Sequence, residues 1–272
     1  MKNQRVDLLL VERGLAESRA QAQRLVMAGQ VRSDGEIVLK PSQSVSAGAE
    51  LVVEQGPRYV SRGGEKLEAA LQGFSMRVDG WVCADVGAST GGFTDCLLQS
   101  GATRVYAIDV GQGILHWKLR QDRRVVVLEK TNARFLERLP EQVDLVTIDA
   151  SFISLRLLLP VVRGWLKMPT PESVQGGMVL ALIKPQFEAG RKETARGDGV
   201  IRDPAVHRQV LGDVLSFAQS DGYGVQGLIP SPLLGPKGNV EFLVWLVYPG
   251  ALREDLDVLV EQALGAALQP RM

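Results

Sequence analysis

The sequence has few of the residues that mark metal centres, disulfide frameworks or membrane spans. Its two cysteines, Cys83 and Cys96, cannot form a metal site and do not suggest a disulfide framework. No apolar run approaches the length needed to cross a bilayer, and no secretory leader pattern begins the chain. The formal net charge is zero, so overall charge gives no support for a polyanionic partner. We therefore predict a cytoplasmic protein, monomeric when free, that binds no metal.

The sequence does have enough apolar residues for a sizeable core, because 45% of its 272 residues are hydrophobic. A chain of this length forms one large domain, or a medium domain and a small one. The helical and strand patterns break at Gly56-Pro57, and a glycine pair follows at Gly63-Gly64. We predict a small domain over residues 1–56, a linker over residues 57–64 and a larger domain over residues 65–272.

A glycine-rich turn follows the first apolar strand of the larger segment. Residues 81–84 predict a buried strand, and residues 93–98 predict the start of a helix. Between them, Asp85 to Thr94 has the spacing Asp-x-Gly-x-x-x-Gly-Gly, which differs from the dinucleotide fingerprint. Glycines let the backbone of such a turn pass close to a ligand. The pattern resembles the first motif of S-adenosylmethionine-dependent methyltransferases, which implies that cofactor.

Polar side chains follow the next four predicted strands. Asp109, Asp149 and Lys184 each come directly after an apolar strand, and Asn132 lies in a turn after another. Carboxyl ends of parallel strands line the binding crevice of an open α/β sheet. We expect Asp109 to accept hydrogen bonds from ribose hydroxyls and Asn132 to hold the adenine edge, although a simple turn asparagine is the alternative. The predicted cofactor-binding residues are Asp85, Gly87, Ser89, Gly91, Gly92, Phe93, Thr94, Asp109, Val110, Asn132 and Asp149.

The N-terminal segment predicts two short helices packed on a small sheet. A first helix ends before Gly14, a capping box of Ser18 and Gln21 begins a second, and Asp34-Gly35 turns a hairpin. The run from Ser18 to Val31, with Asp34-Gly35, resembles the S-four RNA-binding domain. The alternative is an ordinary solvated face, since residues 1–56 hold seven basic and seven acidic residues. The resemblance implies RNA contacts, which we assign to Arg5, Arg19, Arg24, Arg32, Lys40, Arg58 and Arg62.

The residues around the predicted crevice favour a hydroxyl as methyl acceptor. Carbon methylation usually needs a cysteine nucleophile, but Cys83 lies in a strand and Cys96 in a helix. Base-nitrogen methylation commonly uses an acid or amide, two prolines and an aromatic residue, and residues 149–152 lack the prolines. A ribose hydroxyl needs a base, and a lysine beside a second cation can serve.

Four residues match the Lys-Asp-Lys-Glu set of the FtsJ-like ribose 2′-O-methyltransferases in chain order. They are Lys66, Asp149, Lys184 and Glu241. The match implies Lys184 as the base, Lys66 as a second positive charge, and two carboxylates that hold the ammonium groups. Each residue alone could instead have an ordinary structural role: Asp149 as a helix cap, Lys184 as a surface lysine at a strand end, and Glu241 as a charge at a strand edge.

The whole chain resembles the TlyA family. The matching motifs are residues 59–67, 87–95, 149–154, 184–188 and 231–232 with 238–241. The resemblance implies a small α+β S-four domain before a Rossmann-like methyltransferase sheet, mostly parallel with an antiparallel last strand. It also implies methylation of cytidine 2′-hydroxyls in ribosomal RNA of the small or large subunit, with ribosomal RNA or subunits as partners.

The sequence leaves two alternative functions open. Relatives of the TlyA family are often labelled haemolysins, so a membrane-active protein is one alternative. The lack of a spanning segment and the few basic residues in the predicted terminal helix, residues 252–268, argue against a membrane as the main partner. The other alternative is a non-catalytic RNA-binding protein.

Overall fold

The computed structural model describes residues 3–54, 56–171, 176–190 and 199–269. The chain divides into two compact units, Met1–Arg58 and Tyr59–Met272. Within the described ranges, no helix is both long and apolar enough to cross a membrane.

The small unit packs two helices against two short antiparallel sheets. One sheet pairs β1 with β4, and the other has the order β3-β2-β5. Its elements are β1 Asn3–Arg5, α1 Val6–Glu12, α2 Arg19–Met27, β2 Val31–Ser33, β3 Glu36–Ile37, β4 Ser44–Ser46 and β5 Leu51–Val53. Apolar residues of both helices and of the strands form one buried cluster that includes Leu10, Val26 and Val31.

Local sequence signals of the small unit are confirmed. The Ser18 side chain accepts a hydrogen bond from the Gln21 backbone N–H at 3.3 Å, which caps α2. The hairpin turns at Asp34 and Gly35, whose φ angles of 51° and 86° are the left-handed values that such a turn requires. Strands β1 and β4 were not predicted, because their sequences, Asn-Gln-Arg and Ser-Val-Ser, contain only one apolar residue between them.

The large unit is built on a seven-stranded sheet of the order β11-β12-β10-β9-β6-β7-β8 within the described residues. Five neighbouring strands are parallel, while β12 runs antiparallel to both β10 and β11. The strands are β6 Val82–Val86, β7 Arg104–Ile108, β8 Val125–Leu128, β9 Leu145–Ile148, β10 Gly177–Ile183, β11 Gly224–Pro230 and β12 Phe242–Tyr248. The predicted mostly parallel α/β sheet with an antiparallel last strand is confirmed.

Helices cover both faces of this sheet. Successive strand residues point to opposite faces, so Cys83 joins one apolar cluster and Ala84 the other. The first cluster includes residues of α3 and α4, and the second includes residues of α6, α8 and α9. The helices are α3 Gly63–Gly73, α4 Gly92–Gln99, α5 Trp117–Gln121, α6 Leu155–Val162, α7 Pro185–Glu188, α8 Pro204–Ser220 and α9 Leu256–Ala267. Short 3₁₀ turns occur at Ala133–Phe135, Arg163–Trp165 and Pro236–Gly238.

The strand order opens a crevice beside β6. From β6 the chain continues to β7 and β8 on one side of the sheet, and then crosses to β9 and β10 on the other. Such a reversal leaves a gap outside the carboxyl ends of the strands, where ligands bind in open α/β sheets. The glycine turn after β6 and the polar residues after β7, β9 and β10 therefore share one edge.

The predicted linker and loop differ from the structure in detail. Tyr59 is buried in the large unit, the Val60 N–H donates to Asp95 Oδ2 at 2.8 Å, and α3 already begins at Gly63. The large unit therefore starts before residue 65, because Gly64 leaves room for the Tyr59 ring against the helix. A long loop was predicted over residues 186–203, but α7 continues to Glu188, and residues 191–198 lie outside the described residues.

Candidate active site

The turn after β6 needs glycine at three points because other backbones approach it closely. Gly87 has φ of 83°, and a Cβ there would lie 2.8 Å from the Asp149 carbonyl oxygen. Gly91 has φ of 99°, and its Cβ would meet the Leu119 side chain. A Cβ at Gly92 would meet Ser61 and lie 2.8 Å from the Gly64 backbone nitrogen. The glycines thus bring the end of β9 and the start of α3 against the turn.

Asp85 stabilises this turn from inside. It lies within β6, not at its end, and its fully buried carboxylate accepts hydrogen bonds from Thr94 Oγ1 at 2.7 Å and Thr147 Oγ1 at 3.1 Å. Burial raises the pKa of Asp85 to about 7. Three predicted cofactor-binding residues, Asp85, Gly91 and Thr94, line neither of the two cavities at this edge. Their contacts shape the turn.

The larger cavity at the carboxyl edge has a volume of about 580 Å³. Asp109 faces it with a fixed carboxylate, since Oδ2 accepts from the Ser89 N–H at 2.8 Å and Oδ1 from the Gly111 N–H at 2.7 Å. Asn132 Oδ1 accepts from the Arg134 N–H at 3.1 Å and caps the 3₁₀ turn at residues 133–135. The predicted cofactor-binding residues that line this cavity are Gly87, Ser89, Asp109, Val110, Asn132 and Asp149.

A smaller cavity of about 290 Å³ adjoins the larger one. Its walls include all four predicted catalytic residues, Lys66, Asp149, Lys184 and Glu241. Gly92, Phe93 and the predicted RNA-binding residue Arg62 also line it. The residues that both cavities share are Gly87, Ser89, Asp149 and Ser151.

Lys184 and Asp149 form an ion pair where the two cavities meet. Lys184 Nζ lies 2.6 Å from Asp149 Oδ1, and it also contacts Ser151 Oγ at 3.1 Å and the Asp149 carbonyl oxygen at 3.4 Å. The Lys184 side chain is only 8% exposed, while the Asp149 side chain is 22% exposed. Phe187 closes another side, with Nζ 5.8 Å from its ring centroid. Three acceptors around Nζ suit an ammonium group in this arrangement.

Lys66 and Glu241 form a second, more deeply buried pair. Lys66 Nζ donates to Glu241 Oε2 at 2.7 Å, and the Gln186 amide donates to Oε1 at 3.2 Å. The Glu241 side chain is fully buried. Helix α3 carries Lys66 here, and its start packs closely on α4 because a Cβ at Gly92 would lie 2.8 Å from the Gly64 nitrogen and 3.1 Å from the Gly63 Cα. The cavity therefore has two ammonium groups, each neutralised by a carboxylate.

Some residues of the site were given no role from the sequence. Ser151 binds Lys184, and Gln186 binds Glu241. Phe152 is 89% exposed, has φ of 63° and lies 4.9 Å from the Phe187 ring, at the wall of the larger cavity. An aromatic side chain three residues after the strand-end acid Asp149 was a visible signal for Phe152. The contact of Gln186 with Glu241 spans 55 residues and had none.

The two cysteines lie away from the chemistry, as the sequence predicted. Cys83 is buried within β6 and Cys96 within α4, and neither lines the two cavities. Burial raises the pKa of the Cys83 thiol far above its ordinary value. A thiolate nucleophile is therefore not available at this site.

The other predicted RNA-binding residues belong to the small unit and differ in their partners. Arg5 and Arg19 both bind the buried Asp7. Arg32 pairs with Glu54 and also donates to the Gly35 carbonyl oxygen at 3.2 Å. Exposed positions are also held by Arg24, Lys40 and Arg58.

Comparisons with known proteins assign both units. The FtsJ-like methyltransferase family matches residues 59–248, and the S4 domain family matches residues 4–51. A Bacillus subtilis protein, YqxC, assigned provisionally to the rRNA methyltransferases, is 48% identical over 270 residues, with 97% of this chain and 92% of YqxC covered. The 16S/23S rRNA (cytidine-2′-O)-methyltransferase TlyA of Mycobacterium tuberculosis is 47% identical over 246 residues, with 89% of each chain covered.

A solved structure matches almost the whole chain. The Streptococcus thermophilus protein in it, assigned provisionally to the hemolysins, is 43% identical and has a TM-score of 0.70. The match covers 98% of this chain and 97% of that one. With its S4 domain and its FtsJ-like methyltransferase domain, the chain belongs to the TlyA family of FtsJ-like methyltransferases.

Proposed function

We propose that the protein transfers a methyl group from S-adenosylmethionine to cytidine 2′-hydroxyls of ribosomal RNA. The observation that carries this proposal is the single cavity lined by Lys66, Asp149, Lys184 and Glu241, directly beside the glycine turn. A hydroxyl acceptor needs a base and a stabilised oxyanion, and this cavity offers two ammonium groups with no thiolate nearby.

The larger cavity fits the methyl donor. Gly87 packs directly against the Asp149 backbone, and both residues line this cavity, so the glycine turn and the end of β9 form one wall of it. Asp109 presents a carboxylate that two backbone N–H groups hold in place, which suits the hydroxyls of a ribose. Val110 and Asn132 would line the adenine end. When bound, S-adenosylmethionine supplies an electrophilic methyl group on a sulfonium.

Lys184 is the proposed base. Its Nζ would accept the proton of the 2′-hydroxyl and leave that oxygen nucleophilic. Nζ must first lose a proton of its own, and Asp149 at 2.6 Å offers the route because its carboxylate reaches solvent. Ser151 Oγ and the Asp149 carbonyl oxygen keep Nζ oriented through the exchange.

Lys66 is the proposed electrostatic partner. Its ammonium group lines the same cavity and would stabilise negative charge that develops on the ribose oxygen. Glu241 holds it in one position through a 2.7 Å bond, and the Gln186 amide fixes Glu241 in turn. A group fixed in advance loses little freedom when the substrate arrives.

Ribosomal RNA is the proposed substrate, and the S4 domain would bind it. Support comes from the relatives, since the Mycobacterium tuberculosis TlyA is named a 16S/23S rRNA (cytidine-2′-O)-methyltransferase. Arginines exposed on the small unit would contact phosphates, and Arg62 would meet RNA at the catalytic cavity. We also propose that the free protein is a monomer and that it acts in the cytoplasm.

The direct test is methyl transfer from labelled S-adenosylmethionine to transcribed small- and large-subunit ribosomal RNA, followed by nucleoside analysis. We expect 2′-O-methylcytidine as product. A methylated base would contradict the proposed acceptor. RNA binding without donor binding would favour a non-catalytic RNA-binding protein, and lysis of red cells by a protein carrying Lys184→Ala would favour a membrane-active one.

A further inference from the structure

A buried carboxylate connects two of the arginines predicted to bind RNA. Asp7 lies in the first turn of α1, and its side chain is fully buried. Arg5 binds it twice, from Nε to Oδ1 at 3.0 Å and from Nη2 to Oδ2 at 2.9 Å. Arg19 Nε donates to Oδ2 at 3.0 Å, and the Gln23 amide donates to the same oxygen at 3.1 Å. One carboxylate thus joins β1, α1 and α2.

Four donors contact the Asp7 carboxylate. One of them donates to Oδ1 and three donate to Oδ2. The hydrogen bonds, led by those of Arg5, hold the pKa of Asp7 well below its usual range. Asp7 therefore stays ionised, and because its side chain is fully buried its carboxylate is not accessible to RNA.

The two arginines, in contrast, keep donors for a further partner. The Arg5 side chain is 40% exposed and the Arg19 side chain is 54% exposed. Arg5 uses Nε and Nη2 on Asp7, and Arg19 uses Nε alone, so three Nη-type groups lie outside this network. Both arginines contact the same oxygen, which makes their guanidinium groups close neighbours. The negative charge between them offsets their mutual repulsion.

We propose that Asp7 is a positioning residue that presents Arg5 and Arg19 together as a two-guanidinium site for an RNA phosphate. The proposal rests on the proposed function, because it assumes that the small unit binds RNA. A guanidinium held along one edge has already lost rotamer freedom, so binding a phosphate along its other edge costs less entropy. Arg24, which is exposed and has no contact with Asp7, lacks this support.

The test relies on Asp7→Asn, for which a pure charge effect and the loss of positioning predict opposite changes in RNA affinity. Asp7→Asn in the full chain removes a negative charge from the RNA-binding unit, so general electrostatics predicts tighter RNA binding. Positioning predicts weaker binding, with Kd for transcribed ribosomal RNA raised roughly tenfold, the equivalent of one lost charge-assisted hydrogen bond. Glu17→Gln is the matched control, because this exposed acid lies two residues from Arg19. We expect its Kd to stay equal or to fall.

A second variant keeps the proposal testable if Asp7→Asn disturbs the fold, which amide NMR spectra of the full chain will report. Arg19→Lys preserves the charge at an exposed position, but a lysine cannot hold Asp7 and a phosphate along two edges at once. We expect a several-fold rise in Kd, clearly larger than that of Arg24→Lys, which carries the same chemical change. Equal effects at the two positions would overturn the proposal.

The outcomes separate this inference from the proposed function. If Arg5→Ala and Arg19→Ala weaken RNA binding while a folded Asp7→Asn protein binds as tightly as the wild type, the arginines bind RNA without positioning by Asp7. If neither arginine variant changes Kd, the small unit does not bind RNA through this face. If those two arginine variants still methylate RNA, the proposed catalytic function is supported and only the RNA-binding role of this face is refuted.

Discussion

The two units of this chain use buried charge in opposite ways. In the large unit, two lysines that are each 8% exposed pair with carboxylates, and all four side chains line one cavity. In the small unit, one fully buried carboxylate supports two exposed arginines. The buried charges of the large unit would meet the substrate directly, whereas Asp7 would never touch it.

The difference follows from the task of each charge. A charge that acts on a developing oxyanion gains strength in a partly dry cavity, where Coulomb interactions are less screened. A charge that binds RNA phosphates must stay in reach of a flexible polyanion, so burial would defeat its purpose. In both cases carboxylate partners fix the positively charged side chain. In the large unit these carboxylates line the same cavity as the lysines, whereas in the small unit the carboxylate is buried and the arginines are exposed.

The largest effect should come from breaking the deepest pair. Glu241→Ala leaves Lys66 as a buried charge without its carboxylate and removes an acceptor of the Gln186 amide, so we expect a loss of about 3–5 kcal/mol in the free energy of unfolding. Urea unfolding followed by tryptophan fluorescence measures this, because all tryptophans of the chain lie in the large unit: Trp81, Trp117, Trp165 and Trp245.

An exposed ion pair of the same unit is the control for that measurement. Arg208 and Glu261 pair on the surface, and both side chains are 53% exposed. Solvent screens such a pair, so Glu261→Ala should lower the free energy of unfolding far less than Glu241→Ala does. Equal losses for the two variants would show that Glu241 is not a buried partner of Lys66 in solution.

The next effect is on the proposed base. Lys184→Ala should reduce single-turnover methyl transfer by about a hundredfold or more, while donor and RNA binding are nearly kept. Lys184→Arg should not restore the rate, because arginine stays protonated. Lys167→Ala is the matched control, since this lysine is 47% exposed and pairs with Asp144 away from both cavities. A near-normal rate for Lys184→Ala would refute its role as the base.

The sequence predicted those features of the fold that depend on residues close together in the chain. The glycine turn, the strand ends and the hairpin at Asp34-Gly35 are all local signals, and the structure has them. Asp85 was assigned to the cofactor because it follows an apolar run, yet β6 continues through it to Val86. Its partner Thr147 lies 62 residues away, so only the folded sheet shows that the carboxylate faces inward.

The structure of residues 59–64 differs from the predicted linker for a similar reason. Glycine pairs favour a flexible joint in an isolated sequence. Here Gly64 serves close packing, because a side chain at this position would overlap the Tyr59 ring. The Asp7 contacts were equally invisible, since they join residues that lie 2, 12 and 16 positions from Asp7.

Donor binding should respond less strongly than catalysis. Asp109→Ala removes a carboxylate that two backbone N–H groups hold at the larger cavity, so we expect donor affinity to fall by roughly 1–3 kcal/mol. Calorimetric titration with S-adenosylmethionine measures this. Asp122→Ala is the control, because Asp122 pairs with Arg124 just before β8, at the amino-terminal edge of the sheet. Unchanged donor affinity in both Asp109→Ala and Gly87→Val would show that S-adenosylmethionine does not bind in this cavity.

The smallest effect concerns two arginines of the small unit that differ in their partners. Arg24 is exposed and forms no ion pair among the described residues, whereas Arg32 pairs with Glu54 and donates to the Gly35 carbonyl oxygen. Each phosphate contact adds about 0.9 to the slope of log K against log salt, so Arg24→Ala should lower that slope by about 1. Arg32→Ala should lower it less, because Glu54 already neutralises part of its charge.

A salt series of RNA binding by the two full-length variants measures this difference. If Arg32→Ala lowers the slope more than Arg24→Ala does, RNA must displace Glu54 from Arg32, and the pair would then be broken on binding. Glu54→Gln decides whether Glu54 stays paired with Arg32 in the complex or is displaced by RNA. It should steepen the salt dependence if Glu54 shields Arg32 in the free protein, and it should leave the slope unchanged if RNA displaces Glu54 in any event.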